Sequence, residues 1–543
     1  MSERTYRLVL GVAALFLAAW ILFPFVRYAS YPDYQGLVPL RTGDDGAYYD
    51  RIQTALLGRF DEVSNGITGP GIQGVGSASV EFITGFLLQG TGLRGPEAGV
   101  LLMVLIAPLF FVFFSLFLRR LGVSARMSLL LTALYTVMVL GSLQRPVNLS
   151  FTLPYTALVL LVFANARSRG GMVRCLLAAL LIGVLPGVYF WAWTFLWAAC
   201  ACVLLLQFIA FPRSGTNDVS LRRLIGMGTV AFLVALPLLF QTWVMQVTSS
   251  VFSDVASYRS GLYPSHAIES PERAVLLLLL VIASLTIFIR RKDLREVLLV
   301  PVSLVISAFV VMHQNVIHGK DLMLSSHYYP FVCLAAVAMA ATVLAHDPVR
   351  LRTALVKWPS TLVLIITSIL LVAGFWDYRI TWKLPFAKQS DLNMQYLAPA
   401  LRHLTDGTRH AILSDGKTSL LVAAWTDDSV VFTPYVQSLL VSDADYIRRS
   451  CLSQLFHPAG PDTRAIAWEL TQFRGEHLLD VREAEVRSLC TTLFLNPRAA
   501  LEAYNVDLLL WNETLYPLWT IDPTLFEKTE SGNGWSLWAL RSR

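Results

Sequence analysis

The feature that most constrains this chain is a succession of apolar segments, each about as long as a bilayer is thick, crowded ahead of Asp377. A helix rising 1.5 Å per residue needs about 20 apolar residues to cross a hydrocarbon core of ~30 Å. Eleven segments meet that need: Leu8–Val26, Gly99–Leu118, Met127–Leu143, Phe151–Ala166, Cys175–Tyr189, Phe190–Phe211, Leu224–Gln246, Ala274–Ile289, Val297–Met312, Tyr329–Ala345 and Trp358–Trp376. The fifth and sixth form one run about twice a bilayer thick, and Pro186-Gly187 is the turn chemistry that divides it. Across 543 residues, 55% hydrophobic and 15% charged side chains exceed what one soluble globule can bury. The expected fold class is therefore a polytopic α-helical membrane protein, residues 1–378, followed by a soluble α/β domain, residues 379–543. The first span follows Arg4 and Arg7, but its apolar core is too long for a signal peptide and no small-residue cleavage site follows, so it reads as a retained helix.

Positive charge gives the expected orientation. Alternate loops, together with Arg4 and Arg7, hold eighteen Lys and Arg, whereas the longer segments between them hold nine. By the positive-inside rule the N-terminus is cytoplasmic, and an odd number of spans leaves the tail outside. The expected location is a cell membrane, of the bacterial inner-membrane kind. From Arg379 onward the tail carries sixteen Lys and Arg against nineteen Asp and Glu, so the positive excess behind the net charge of +6 lies wholly in the membrane block. The basic balance reports topology, and nucleic acid is not an expected partner. No span holds Asp, Glu, Lys, Arg or His in its interior, which weighs against an ion-coupled transporter or proton pump.

Four cysteines, Cys175, Cys200, Cys202 and Cys333, fall in apolar spans and behave there as small hydrophobes. Cys451 and Cys490 lie in the tail, where an even pair in an oxidising compartment can form a disulfide or remain two thiols. No metal-ligand spacing of Cys or His is present, and no GxGxxG or P-loop opens a helix after a strand.

Chemistry concentrates on the outer side. A loop of about seventy residues, 30–97, joins the first two spans and is longer than a connector requires. It contains Arg41-Thr42-Gly43-Asp44-Asp45-Gly46-Ala47-Tyr48-Tyr49-Asp50-Arg51, and from Ala47 to Phe60 apolar residues recur at helical spacing. Asp44 and Asp45 therefore stand at or just before a helix N-terminus, where capping alone can explain them. The functional reading gives one carboxylate the removal of a proton from an acceptor hydroxyl, while its neighbour orients it or helps hold a divalent cation. A Gly-rich stretch, Gly66 to Gly76, follows, and then an amphipathic patch from Val80 to Leu88. Too short to span, the patch is expected to lie in the interface as a roof over a lipid-facing cavity. Between the ninth and tenth spans, Lys320 can meet a lipid phosphate, with Asn315 and His327 as hydrogen-bond partners. A snorkelling lysine in an interfacial belt accounts for the same residues. Arg145, Tyr48 and His266 are further candidates for substrate contact. Tyr189, Trp191 and Trp193 read either as an aromatic belt or as a stacking surface for a sugar.

In the tail, 410–415, 429–433, 506–511 and 535–540 read as short buried strands, with helices near 392–404, 443–455, 464–473 and 482–493 between them.

The order of these parts, an early span, a long outer loop with an acidic pair, further spans with short loops and an outer α/β tail, resembles the GT-C superfamily of integral membrane glycosyltransferases. That superfamily includes protein O-mannosyltransferases and the catalytic subunit of oligosaccharyltransferase. The resemblance implies an inverting enzyme that moves a sugar from a polyprenyl phosphate or diphosphate to a glycan, lipid or protein acceptor on the external face. It matches Asp44 and Asp45 to the family's first-loop catalytic or metal-binding acids, with Mg or Mn as the implied cation. Ile412-Leu413-Ser414-Asp415-Gly416 stands where oligosaccharyltransferase subunits have Trp-Trp-Asp-Tyr-Gly. The Trp pair and the Tyr are absent here, which leaves the acceptor open. A non-catalytic binder of lipid-linked glycan, and a lipid or polysaccharide transporter or polymerase, are the alternatives that the same architecture allows. Membrane lipids are expected partners in every case.

Overall fold

The computed structural model describes residues 1–40, 43–59, 67, 79–143, 148–211, 215–249, 262–264, 266–268, 271–322, 325–346, 361–370, 372, 394–405, 409–434, 441–471 and 478–542. The chain divides into two compact units: a membrane unit of Met1–Ile21, Met103–Val244 and Pro264–Lys383, and a second unit of Leu22–Leu102, Met245–Tyr263 and Leu384–Arg543.

Among the described residues seven helical segments are long and apolar enough to cross a membrane: Glu3–Ala29, Gly95–Arg120, Phe190–Ala210, Ser220–Gln241, Pro271–Arg290, Lys292–Met312 and Tyr329–His346. The other four expected spans fall on Ala125–Leu143, Asn148–Arg169, Met172–Gly183 and Thr361–Leu370. The described parts of these are shorter or less apolar, so among the described residues length and composition support seven spans, and the count of eleven rests on sequence reading. At the expected division the Met172–Gly183 helix ends, a 3-10 turn covers Leu185–Gly187, and the next helix runs Phe190–Ala210.

Within the membrane unit the centre is the Tyr329–His346 helix, buried almost throughout. Its run Leu334-Ala335-Ala336-Val337-Ala338-Met339-Ala340-Ala341 explains why. Small side chains let neighbouring backbones close in, and a helix apolar on every face is stable only when surrounded. The Arg295–Met312 and Ala125–Leu143 helices pack on it. Tyr135 Oη donates to Pro330 O at 2.5 Å, and Ser307 Oγ to Phe195 O at 2.5 Å, so these two hydroxyls between helices are satisfied on backbone.

The second unit is built on a five-stranded sheet. Its strands are β1 (Ala411–Leu413), β2 (Ser429–Val430), β3 (Leu508–Asn512), β4 (Phe526–Gly532) and β5 (Trp535–Leu540), in spatial order β2-β1-β3-β5-β4. β1 runs parallel to both β2 and β3, pairing Ala411 with Ser429 and Ile412 with Leu508, while the β4–β5 hairpin is antiparallel. Leu413, Leu452, Phe456, Leu509, Trp519 and Phe526 close the core beneath it. Cys451 and Cys490, on the Asp443–Leu452 and Leu479–Leu495 helices, form a disulfide with Cα atoms 5.6 Å apart.

Parts of the loop that follows the first long helix belong to this second unit. Gln395, 4% exposed, holds the beginning of the loop: its Oε1 accepts from Gln35 N at 2.9 Å and Leu37 N at 3.2 Å, and its Nε2 donates to Leu37 O at 2.7 Å and Tyr28 Oη at 3.3 Å. Ile67 pairs with Val430 as an isolated bridge.

Candidate functional site

The acidic pair opens the Gly43–Leu56 helix, so Asp44 and Asp45 occupy its first turn, at the positive end of the helix dipole. Asp44 is described by its backbone position alone. Asp45 is buried, 1% exposed. Gly46 explains the closeness of the packing: a Cβ there would lie 3.1 Å from Leu420 Cδ2 and 3.2 Å from its Cβ. The acidic helix can thus rest directly on the tail helix Gly416–Trp425, which belongs to the same unit.

On another side lies the Ser79–Leu88 helix, the expected amphipathic patch. A Cβ on Gly85 would lie 2.3 Å from Ala55 Cβ, so the two helices cross where neither side chain is large. Arg51 joins them by an ion pair to the buried Glu81, with Nη2 to Oε1 at 2.6 Å. The same guanidinium stands 5.0 Å from the ring centre of Tyr48, which is therefore engaged within its own helix. Ile83, Phe86 and Leu87 remain exposed on the opposite face, the amphipathic division expected of an interfacial helix.

The tail helix brings in residues that the sequence reading left without a role. Asp415 caps it, Oδ1 accepting from Lys417 N at 2.9 Å and Thr418 N at 3.0 Å. Its Oδ2 is buried with no hydrogen-bond partner among the described residues, and burial pushes the carboxyl above the usual carboxylate range. At the other end Asp427 Oδ1 accepts from Arg94 Nη1 at 3.0 Å and Gln53 Nε2 at 3.3 Å, while Gln53 Oε1 accepts from Gly95 N at 2.8 Å. The acidic helix is thus tied to the tail at both ends.

The remaining candidates belong to the membrane unit. Lys320 begins a three-residue strand, Lys320–Leu322, and is described by its backbone alone. Asn315 is buried and donates from Nδ2 to Ala267 O at 2.6 Å, and His266 Nδ1 lies 3.2 Å from Val316 O. These two residues hold loop to loop. His327 is the better placed for a ligand. Its Nδ1 lies 2.8 Å from Tyr189 Oη, its ring centre is 4.5 Å from that of Trp191, and buried Trp191 Nε1 has no partner among the described residues. The neighbouring Tyr328 is held through Oη, bonded to Thr194 Oγ1 at 2.8 Å and accepting from Gln314 Nε2 at 3.1 Å. The expected residue Arg145, and the Gly66–Gly76 stretch apart from Ile67, lie outside the described residues. The acidic pair and Tyr48 belong to one unit, and Lys320, Asn315, His327 and His266 to the other.

Among the described residues no group of three His, Cys, Asp or Glu can hold a metal ion. The described donors thus fall short of the expected Mg or Mn site, and no chemical step is routed through a cation.

No protein-family model matches the chain, and no curated protein matches it in sequence. In structure the chain is similar to the oligosaccharyltransferase of Archaeoglobus fulgidus in its apo form, at 13% identity and a TM-score of 0.48 over 94% of this chain and 70% of that one. It is similar to the same organism's oligosaccharyltransferase AglB in complex with an inhibitory peptide and a dolichol-phosphate, at 12% identity, a TM-score of 0.48 and the same coverage. It is similar also to ArnT from Cupriavidus metallidurans bound to undecaprenyl phosphate, at 13% identity and a TM-score of 0.44, over 99% of this chain and 98% of that one. No residue role is transferred from any of them.

Proposed function

We propose that the chain is a GT-C type membrane glycosyltransferase that moves a sugar from a polyprenyl phosphate or diphosphate to an acceptor hydroxyl or amide on the external face, with inversion. Asp45 or Asp44 takes the acceptor proton as the acceptor atom bonds to the anomeric carbon. The bond from that carbon to the phosphate oxygen breaks, and its electron pair leaves with the lipid phosphate, which needs positive charge and no proton. Lys320 is assigned to that phosphate, and His327 with Tyr189 and Trp191 to the sugar or acceptor. The proposed orientation places the N-terminus in the cytoplasm and the tail outside, where nucleotide sugars are absent and a lipid-linked donor is the available one.

The observation that carries this reading is a buried Asp45 in the first turn of a helix clamped at both ends to the tail. Such fixation gives a base a defined position before any substrate arrives. The test is release of free polyprenyl phosphate from a panel of labelled polyprenyl-phosphoryl sugars by membranes holding the full chain. Asp44→Asn or Asp45→Asn is expected to abolish release at equal levels of folded protein. Full activity in both variants would remove the pair from the mechanism.

A further inference from the structure

The membrane unit contains a cavity of about 450 Å³ with an almost wholly apolar wall, walled by the Phe190–Ala210 and Gly215–Thr248 helices and closed behind by Phe163 and Ile182. It runs beside Leu224 to Phe232, about 12 Å at 1.5 Å per residue, most of one leaflet's share of a ~30 Å core. Trp197 lines it beside Phe232: its Nε1 donates to Ile182 O at 3.2 Å and its ring stands 6.3 Å from that of Phe232. Thr229, the one hydroxyl among the described lining residues, already donates to Ile225 O at 3.0 Å. Gly228 lines the hollow, and a Cβ there would meet nothing within 4 Å. Such a space favours a hydrocarbon chain over water, since it offers water no partners.

The near end is charged. Arg223 directly precedes Leu224 of the wall, and its Nη1 lies 2.5 Å from where a Cβ on Gly170 would be. Arg174 Nη1 donates to Gly170 O at 3.3 Å. Two exposed guanidinium groups therefore meet at one glycine, and neither is paired with a carboxylate among the described residues. Like charges brought together in this way complement an anion, and guanidinium suits phosphate oxygens.

We infer that this cavity is a site for an anionic phospholipid, with one acyl chain between the helices and its phosphate against Arg174 and Arg223. The inference does not depend on the transferase reading.

The test uses the full chain in nanodiscs and the fluorescence of Trp197, isolated as the difference between the native protein and Trp197→Phe. Brominated phosphatidylglycerol is expected to quench that signal at a mole fraction at least about fivefold lower than brominated phosphatidylcholine, the preference expected of one surface arginine or more. Gly228→Leu, which puts a side chain into the cavity, is expected to weaken quenching by both lipids. Arg174→Gln with Arg223→Gln is expected to remove the preference alone. Equal quenching by the two lipids in the native protein would mean an ordinary annular lipid and would overturn the site, whether or not the arginine variant folds. A preference that survives in a folded arginine variant would overturn the assignment of the phosphate.

Discussion

The two units bury polar groups in different ways. In the membrane unit every described buried polar residue is neutral, from Ser115 and Thr132 to Asn315 and Thr342, and several return their hydrogen bond to a backbone carbonyl, as Thr342 does to Ala338 O at 2.8 Å. The second unit buries Asp45, Asp50, Glu81, Asp415, Asp428 and Arg449. Burying a charge costs several kcal/mol unless partners surround it. Helix N-termini, guanidinium groups and loop N–H groups supply those partners in the second unit, and a bundle of apolar helices has few to offer. Chemistry that needs a buried charge, the proposed base above all, is therefore to be sought in the second unit, and substitutions at buried polar residues of the two units should differ in kind.

The largest expected effect is on catalysis. Asp45→Asn should lower sugar transfer by about 10²–10⁴-fold, the range for loss of a general base, with no comparable loss of folded protein. Transfer assays on membranes of matched content check this. A loss of folded protein equal to the loss of rate would make Asp45 a structural carboxylate and erase the contrast with the membrane unit. Next comes the tail's cross-link: Cys451→Ser opens a bridge of sequence separation 39, which should lower the tail's stability by about 3–4 kcal/mol, read from thermal melts with and without reductant.

Gln395→Ala should follow at about 2–3 kcal/mol, because it leaves Gln35 N and the backbone groups of Leu37 without partners. Faster amide exchange at those residues is the specific readout. Asp415 supplies a pH signature. Burial raises its folded pKa above the ordinary 3.8, so its stabilising contribution is complete below that value and is lost as pH rises through the folded value. Asp415→Asn keeps an acceptor at the cap and should flatten the stability profile in that window, an effect smaller than the disulfide's. An unchanged slope would show that the carboxyl is solvated. The smallest effect belongs to the membrane unit: Thr342→Val should change stability by less than about 1 kcal/mol with no pH dependence, since a neutral side-chain bond is all it removes.

Sequence reading reached the features whose cause is local. The break at Pro186-Gly187 and the strands at Ala411–Leu413 and Leu508–Asn512 each follow from turn chemistry or from a short apolar run. The strand Phe526–Gly532 gave no such run: Glu527, Lys528 and Thr529 are exposed on the sheet's edge strand and Phe526 is its only buried residue. The Gly416–Trp425 helix was also missed, because Thr418 to Trp425 are all buried and show no polar face to mark helical periodicity. The acidic pair was visible as a helix start, but its setting was not. That setting depends on Leu420, Asp427 and Gln395, whose pairing with Gly46, Arg94 and Leu37 no local pattern announces.

Gln395 lies 358 residues beyond the Leu37 it holds. At about 5–20 residues per second of synthesis, the start of the first loop waits on the order of 20–70 s for its partner to leave the ribosome. During that interval the newly made acids have no docking surface, so the nascent loop is the stretch a chaperone or protease would meet first. A chain truncated before Gln395 should accordingly reach the membrane yet never mature.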